Sequence, residues 1–340
     1  YPYSHPYSWT TIGSMDDLNA ASLDDVKNWY KTYYGPNNVV MALAGDITPQ
    51  RALELVKKYF GDIPPGPALA RTEKWIPNLD RNLRDEMQDR VPQTQIFRVY
   101  HAPAWKDKEI SYLRLAADVL AGSKTARLNK VLIDEKKLAT EVGAFVDDGE
   151  LAGSFYLTVL VKQGANAVEA EKELDAVVNE FLQSGPTMEE LQRTNAQIQA
   201  AFIRGKERLG GMGGRSDVLA ESMTYGGKPD AYLDKLELMA KAKPVDVKAA
   251  AKEWLDANHY TMVVNPYPAL KPDKVAVDRS VLPALGPAPE VSFPTVQNAT
   301  LKNGLKVLLL ERHNVPVTHV TLAVDAGYAS DQASKAGLAS

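Results

Sequence analysis

Two stretches of this chain recur at nearly the same distance, and that recurrence limits the fold more than any other feature. An offset of 221 residues lays "DVKNWYKTYYGPNNVVMAL" (25–43) on "DVKAAAKEWLDANHYTMVV" (246–264) without a gap. Asp, Val, Lys, Asn and Met coincide, and both stretches read as a helix followed by a strand. An offset of 224 lays "VPQTQIFRVYHA" (91–102) on "VPVTHVTLAVDA" (315–326), where Val, Pro, Thr and Ala coincide. Two matches with one period of about 220 residues predict a repeated unit. Each unit is expected to be α+β, a mostly antiparallel sheet with helices on one face.

The period sets the expected anatomy. A complete second unit spans 67–265, residues 1–66 are the end of a first unit, and 295–340 begin a third. Residues 266–294, rich in proline, read as the linker between them. Tyr1 follows neither a methionine nor a signal peptide, so the chain is expected to be a window on a longer protein.

Local signals agree with this order. Ser22 with Asp25 three residues on is a capping box, and Leu23, Val26, Tyr30 and Tyr33 then share a helical face. Trp29, Tyr30, Tyr33 and Tyr34 are expected to pack into a core, and Val39–Ala44 to form a short buried strand. Thr48-Pro49 caps and opens the next helix. Residues 66–90 read as linker, 91–103 as a strand, 109–121 and 126–137 as helices, and 141–147 with 151–162 as a hairpin around "DDGE". Long helices are expected over 166–183 and 187–208, the second opened by Thr187 and Glu190 and broken by "GGMGG". A last strand covers 259–266, and Asn303-Gly304 marks a two-residue hairpin turn ahead of alternating Val320, Leu322 and Val324.

Composition narrows the function classes. The net charge is -4 and no lysine or arginine block is present, so a nucleic-acid footprint is not indicated. No apolar run approaches the roughly 18 residues of a membrane helix. With no cysteine, disulfides and thiolate metal sites are excluded.

Three stretches carry a family resemblance. "HPYSWTTIGSMDDLNAASLDDVKNWYKTYYGPNNVVMALAGDI" (5–47), "LAGSKTARLNKVLIDEKKLATEV" (120–142) and "GLKVLLLERHNVPVTHVTLAVDAGYASDQASKAGLAS" (304–340) resemble the pitrilysin/insulinase family of zinc metallopeptidases, with its processing-peptidase-like fold. The resemblance implies a zinc endopeptidase that encloses unfolded peptides between two halves of one chain, or between homologous subunits. It leans toward an exported, periplasmic compartment. The family's zinc motif, H-x-x-E-H, is absent: none of His5, His101, His259, His313 and His319 has a histidine four residues away. Zinc is therefore expected in the parent protein and not in this chain, which is expected to be inactive alone. The family's substrate-binding arginine and tyrosine correspond to Ile133 and Thr140 here. The alternative is a non-enzymatic member, acting as a scaffold or partner subunit.

No catalytic or metal-ligating residue is assigned from the sequence, and substrate contacts are not legible in it. His313 and His319, near Glu311, read as ordinary strand or surface histidines, and His5 as a packed imidazole in a loop. "AGSKT" (121–125) has the wrong order for a phosphate loop, and "LGGMGG" (209–214) lacks the preceding strand of a dinucleotide fingerprint. Asp147-Asp148 and Glu189-Glu190 read as a turn and a helix cap, not as catalytic pairs.

Overall fold

The structure is a computed structural model that describes residues 1–205, 207–268, 294–311, 313, 318–327 and 334. It divides into two compact units, Tyr1–Leu270 and Lys271–Ser340.

The first unit opens with three helices, α1 (Met15–Ala20), α2 (Leu23–Tyr33) and α3 (Pro49–Phe60). Their starts obey the side-chain chemistry. The Ser22 hydroxyl accepts from Asp25 N at 3.2 Å and Ser22 N donates to Asp25 Oδ2 at 2.9 Å, completing the capping box. Thr48 caps α3 through Arg51 N, with Pro49 at its first position.

The surroundings of α2 differ from the sequence expectation. Residues 39–44 form no strand, because none of the described residues offers a neighbouring ladder for their N–H and C=O groups. Trp29 and Tyr30 are each 62% exposed, so the aromatic face of α2 lies in solvent instead of in a core. Among the described residues its rings pair along the helix, Trp29 with Tyr33 at 4.4 Å and Tyr30 with Tyr34 at 4.9 Å.

The core belongs to the remainder of this unit. Strands β1 (Leu83–Asp89), β2 (Gln95–Ala102), β3 (Ala139–Asp148), β4 (Gly153–Val161) and β5 (Tyr260–Pro266) form one sheet in the order β1-β5-β2-β4-β3. Among the described residues of this sheet, β1 and β5 pair in parallel and the other pairs are antiparallel. Helices α4 (Glu109–Ala121), α5 (Ala167–Ser184), α6 (Met188–Gly205), α7 (Arg215–Gly226), α8 (Ala231–Lys241) and α9 (Pro244–Leu255) complete the α+β fold. The β2 side chains alternate in burial, so Ile96, Arg98, Tyr100 and Ala102 face inward. Register sets Ile96 beside Val159 and Val263, and Tyr100 beside Phe155, in one core with Leu113, Leu120, Leu174, Phe181 and Val247 of the helices.

β1 corrects the linker expected over 66–90. All seven of its residues are exposed, so no alternation of burial accompanies the strand. The hairpin of β3 and β4 turns over 149–152, and Asp147 and Asp148 stand at the end of β3 instead of in the turn. Thr187 and Glu190 make the expected reciprocal cap of α6, at 2.7 and 3.1 Å.

In the second unit, β6 (Val296–Thr300) pairs with β7 (Lys306–Leu310). Gly304 alone takes a positive φ, +88°, and Leu301 N donates to Leu305 O at 2.9 Å. The turn is thus a longer, bulged one, not a two-residue turn with both residues left-handed. Residues 318–324 form no strand, and 314–317 lie outside the described residues, as does most of the expected 266–294 linker.

Candidate functional site

The helices cover one face of the sheet, while the other is half-buried to exposed and is met at its His101 end by Tyr1. Register builds that second face in rows. Tyr260, Val99, Tyr156 and Phe145 stand side by side across β5, β2, β4 and β3, with Met262, Phe97 and Thr158 in the next row. Phe145 is half exposed and its ring stacks on Tyr156, with centroids 4.7 Å apart and planes 9° apart. Such a row offers broad apolar contact with few directional demands.

The approach to β3 has an unusual backbone. A π-helical turn, Asn129–Glu135, leads to Lys137 at φ +56°, and the β3–β4 register then shifts between Ala139 and Glu141. Irregularities of this kind gather at functional positions. Ile133 lies in the π turn, packed against the core, and Thr140 is exposed at the register shift. Neither carries a charge or a phenol, unlike the arginine and tyrosine that the resemblance puts at these positions.

The N-terminal stretch forms a clasp around His5, the packed loop imidazole expected from the sequence, although its partners were not legible there. Tyr1 Oη donates to Gly153 O at 3.1 Å, Leu151 N donates to Tyr7 Oη at 3.2 Å, and Trp75 N donates to Leu151 O at 3.1 Å. His5 is fully buried at its centre. Its Nδ1 accepts from Tyr7 N at 3.0 Å and its Nε2 lies 2.9 Å from Trp75 O. A carbonyl can only accept and a backbone N–H can only donate, so Nε2 acts as the donor and Nδ1 as the acceptor. Tyr1 stacks on His5 at 4.5 Å and meets His101 at 5.0 Å. Burial pulls His101 down to about 4, so it is uncharged at neutral pH. Gly149 makes room for the clasp: a Cβ there would stand 2.7 Å from the Tyr7 ring and hydroxyl.

Charged side chains are used within the fold. Arg98, 3% exposed, pairs with Glu171 at 2.9 Å and with Asp175, while Glu171 also holds Arg84 of β1 at 2.8 Å. Arg127 ties Glu180, Glu190 and the Gly185 carbonyl. Asp148 meets Arg114 at 2.5 Å and Lys235 at 3.3 Å, and the Lys235 ammonium sits 3.2 Å from the centre of the Trp105 ring. Burial pulls Lys235 down to about 8 against the opposing effect of Asp148.

These residues do not fit a zinc site. Both His5 nitrogens are taken by backbone groups. His259 is held near 4 by burial and by Arg98, His313 faces Glu311 at 3.4 Å, and His319 meets Thr321 at 3.1 Å. Among the described residues no three His, Asp or Glu side chains converge as metal ligands. "AGSKT" forms the turn after α4, and "LGGMGG" the break between α6 and α7.

The family description "Peptidase M16 inactive domain" matches residues 20–198. The chain belongs to this family. Its sequence is similar to the zinc protease PqqE of Helicobacter pylori, 28% identical over 215 residues, which cover 60% of this chain and 46% of that protein. The chain spans about half the length of the curated relatives it matches. Its fold resembles the solved peptidase M16 inactive domain of Pseudomonas fluorescens, with TM-score 0.67 and 21% identity over 79% of this chain and 63% of that one. It also resembles the periplasmic protease PqqL of Escherichia coli, with TM-score 0.52 and 17% identity over 65% of this chain and 24% of that one. The α+β architecture expected from the repeat is the fold of these peptidases. Among the described residues no helix is long and apolar enough to cross a membrane.

Proposed function

We propose that this chain is the non-catalytic part of a zinc-dependent endopeptidase, in which the sheet face away from its helices lines the space where peptides are held. The observation that carries the reading is the row Tyr260, Val99, Tyr156 and Phe145, half-buried to exposed, in a chain that matches the inactive domain of zinc-protease relatives. Zinc, bound elsewhere in the parent, would supply the hydrolytic chemistry. The residues here position extended or unfolded peptides by apolar contact, which gives loose sequence preference. The partner is the other half of the parent chain or a homologous subunit. The likeness to a periplasmic protease supports an exported compartment.

Within this reading, residues 1–66 end a first domain, 67–265 are a complete second domain, 266–294 link it onward and 295–340 begin a third. The exposed apolar faces of α2 and α3 support the first boundary: Val26, Trp29, Leu53 and Tyr59 await a covering layer.

Cleavage of a fluorogenic unstructured peptide tests the proposal. The pure 340-residue chain with added zinc should be inactive, while the parent protein cleaves and a chelator stops it. In the parent, Phe145→Asp should raise KM several-fold with little change in kcat. Chelator-sensitive cleavage by the chain alone, or an unchanged KM in that variant, would sink the reading.

A further inference from the structure

The glycine-rich break between α6 and α7 is a built loop. Arg215 N donates to Arg208 O at 3.0 Å, Ser216 N to Leu209 O at 3.1 Å and Gly213 N to Asp217 Oδ2 at 2.7 Å. Gly211 and Gly213 hold φ of +76° and +72°, which other residues adopt only with strain. A Cβ on Gly214 would stand 2.4 Å from Gly210 O. Such constraint exceeds what a mere helix break requires.

Beneath the loop lies a cavity of about 530 Å³, within the range of small-ligand sites. Phe202 of α6, Val218 and Leu219 of α7 and Tyr232 of α8 supply its apolar walls, and Arg208 and Arg215 its charge. The Arg208 guanidinium reaches the loop, with one nitrogen 3.9 Å from where a Gly213 Cβ would stand. Helix α7 sorts its side chains by face: Arg215, Val218 and Leu219 line this cavity, while Ser216, Asp217 and Ala220 line a separate recess beside Val39–Ala42. Among the described residues no carboxylate lines the cavity.

Apolar walls with positive charge at the loop select an anion that carries an apolar body. A peptide segment would bring amide groups that these walls cannot satisfy. An acyl chain brings none. We propose that this cavity binds a fatty-acid-type carboxylate, its chain between Phe202, Val218, Leu219 and Tyr232 and its head at Arg208, beside Arg215. The site is independent of the peptidase reading, and so is its test.

Calorimetric titration of the delipidated 340-residue chain with sodium dodecanoate, below micelle formation, should show one saturable site per chain. Dodecan-1-ol should bind about tenfold more weakly or worse, since it cannot use the guanidinium charge. Arg208→Gln should weaken dodecanoate by about tenfold and leave dodecan-1-ol unchanged. Val218→Trp, which fills the cavity, should abolish both. Should that variant fail to fold, the exposed-loop variant Arg208→Gln still decides. Equal affinity for acid and alcohol, no saturable binding, full binding by folded Val218→Trp, or tighter binding of trileucine than of dodecanoate would each overturn the proposal.

Discussion

Lys235 offers a direct test of how charge is held in this fold. Its ammonium is mostly buried, lying over Trp105 and 3.3 Å from Asp148, yet desolvation outweighs these contacts and brings the group from 10.5 to about 8. That gap corresponds to about 3 kcal/mol. Below pH 8 the lysine is charged in both folded and unfolded chains, and folding bears the whole penalty. Above pH 10.5 it is neutral in both, and the penalty is gone. In between the unfolded chain binds more protons, so stability rises with pH. The relief between pH 7 and 9.5 should be about 2 kcal/mol. Lys235→Met keeps the stem's contact with Trp105 and leaves Asp148 paired with Arg114. It should therefore match or exceed the parent stability at pH 7, by up to about 3 kcal/mol. The assay is urea unfolding of both proteins at several pH values, taking the difference so that other titrations cancel. A variant that is less stable at pH 7 by more than about 1 kcal/mol, or a difference flat from pH 7 to 9.5, would refute the reasoning.

The packing sets two further outcomes. Gly149→Ala should open the N-terminal clasp, because its methyl needs the space of the Tyr7 ring. Limited proteolysis should then cut faster within residues 1–8, which hold the clasp contacts; an unchanged rate would remove the clasp from consideration. Glu171→Gln should cost roughly 2 kcal/mol in urea unfolding, since it strips a carboxylate from both Arg84 and buried Arg98 while Asp175 still holds the latter. A loss under about 0.5 kcal/mol would show that Asp175 alone satisfies Arg98.

Much of the fold was legible wherever its determinants are local. Ser22 with Asp25, Thr48 with Pro49, and Thr187 with Glu190 each place a helix start within four residues of chain, and all three form. The alternation in β2 survives because one face meets the helices. β1 was illegible for the opposite reason. Its partner β5 lies far along the chain, with Leu83 opposite Tyr260, and exposure on both sides erases the period of two. The alternation at Val320, Leu322 and Val324 misled, because alternation makes a strand only where a ladder is available. The site was hidden still more. The aromatic row draws one residue from each of four strands, and the Lys235 cluster gathers Trp105, Arg114 and Asp148 from separate elements. No motif in the chain announces either.

The two surfaces of the sheet therefore divide its work. On the covered face even the charges are committed: Arg98, Glu171 and Asp175 join β2 to α5, and Arg84 extends that network to the sheet edge. At that edge Arg84, Asp85 and Glu86 stand in succession, a run of charge that discourages a further strand. At the other edge the register shift beside Thr140 interrupts pairing near one end of β3. The face away from the helices is different. Tyr156 and Phe145 present stacked rings, and the aligned side chains of Val99 and Tyr260 bear no full charge. A peptide pressed there would exchange water for ring surface without any required hydrogen-bond pattern. That is the physical basis for the proposal that this unit holds peptides of many sequences, with bond cleavage supplied by residues outside it.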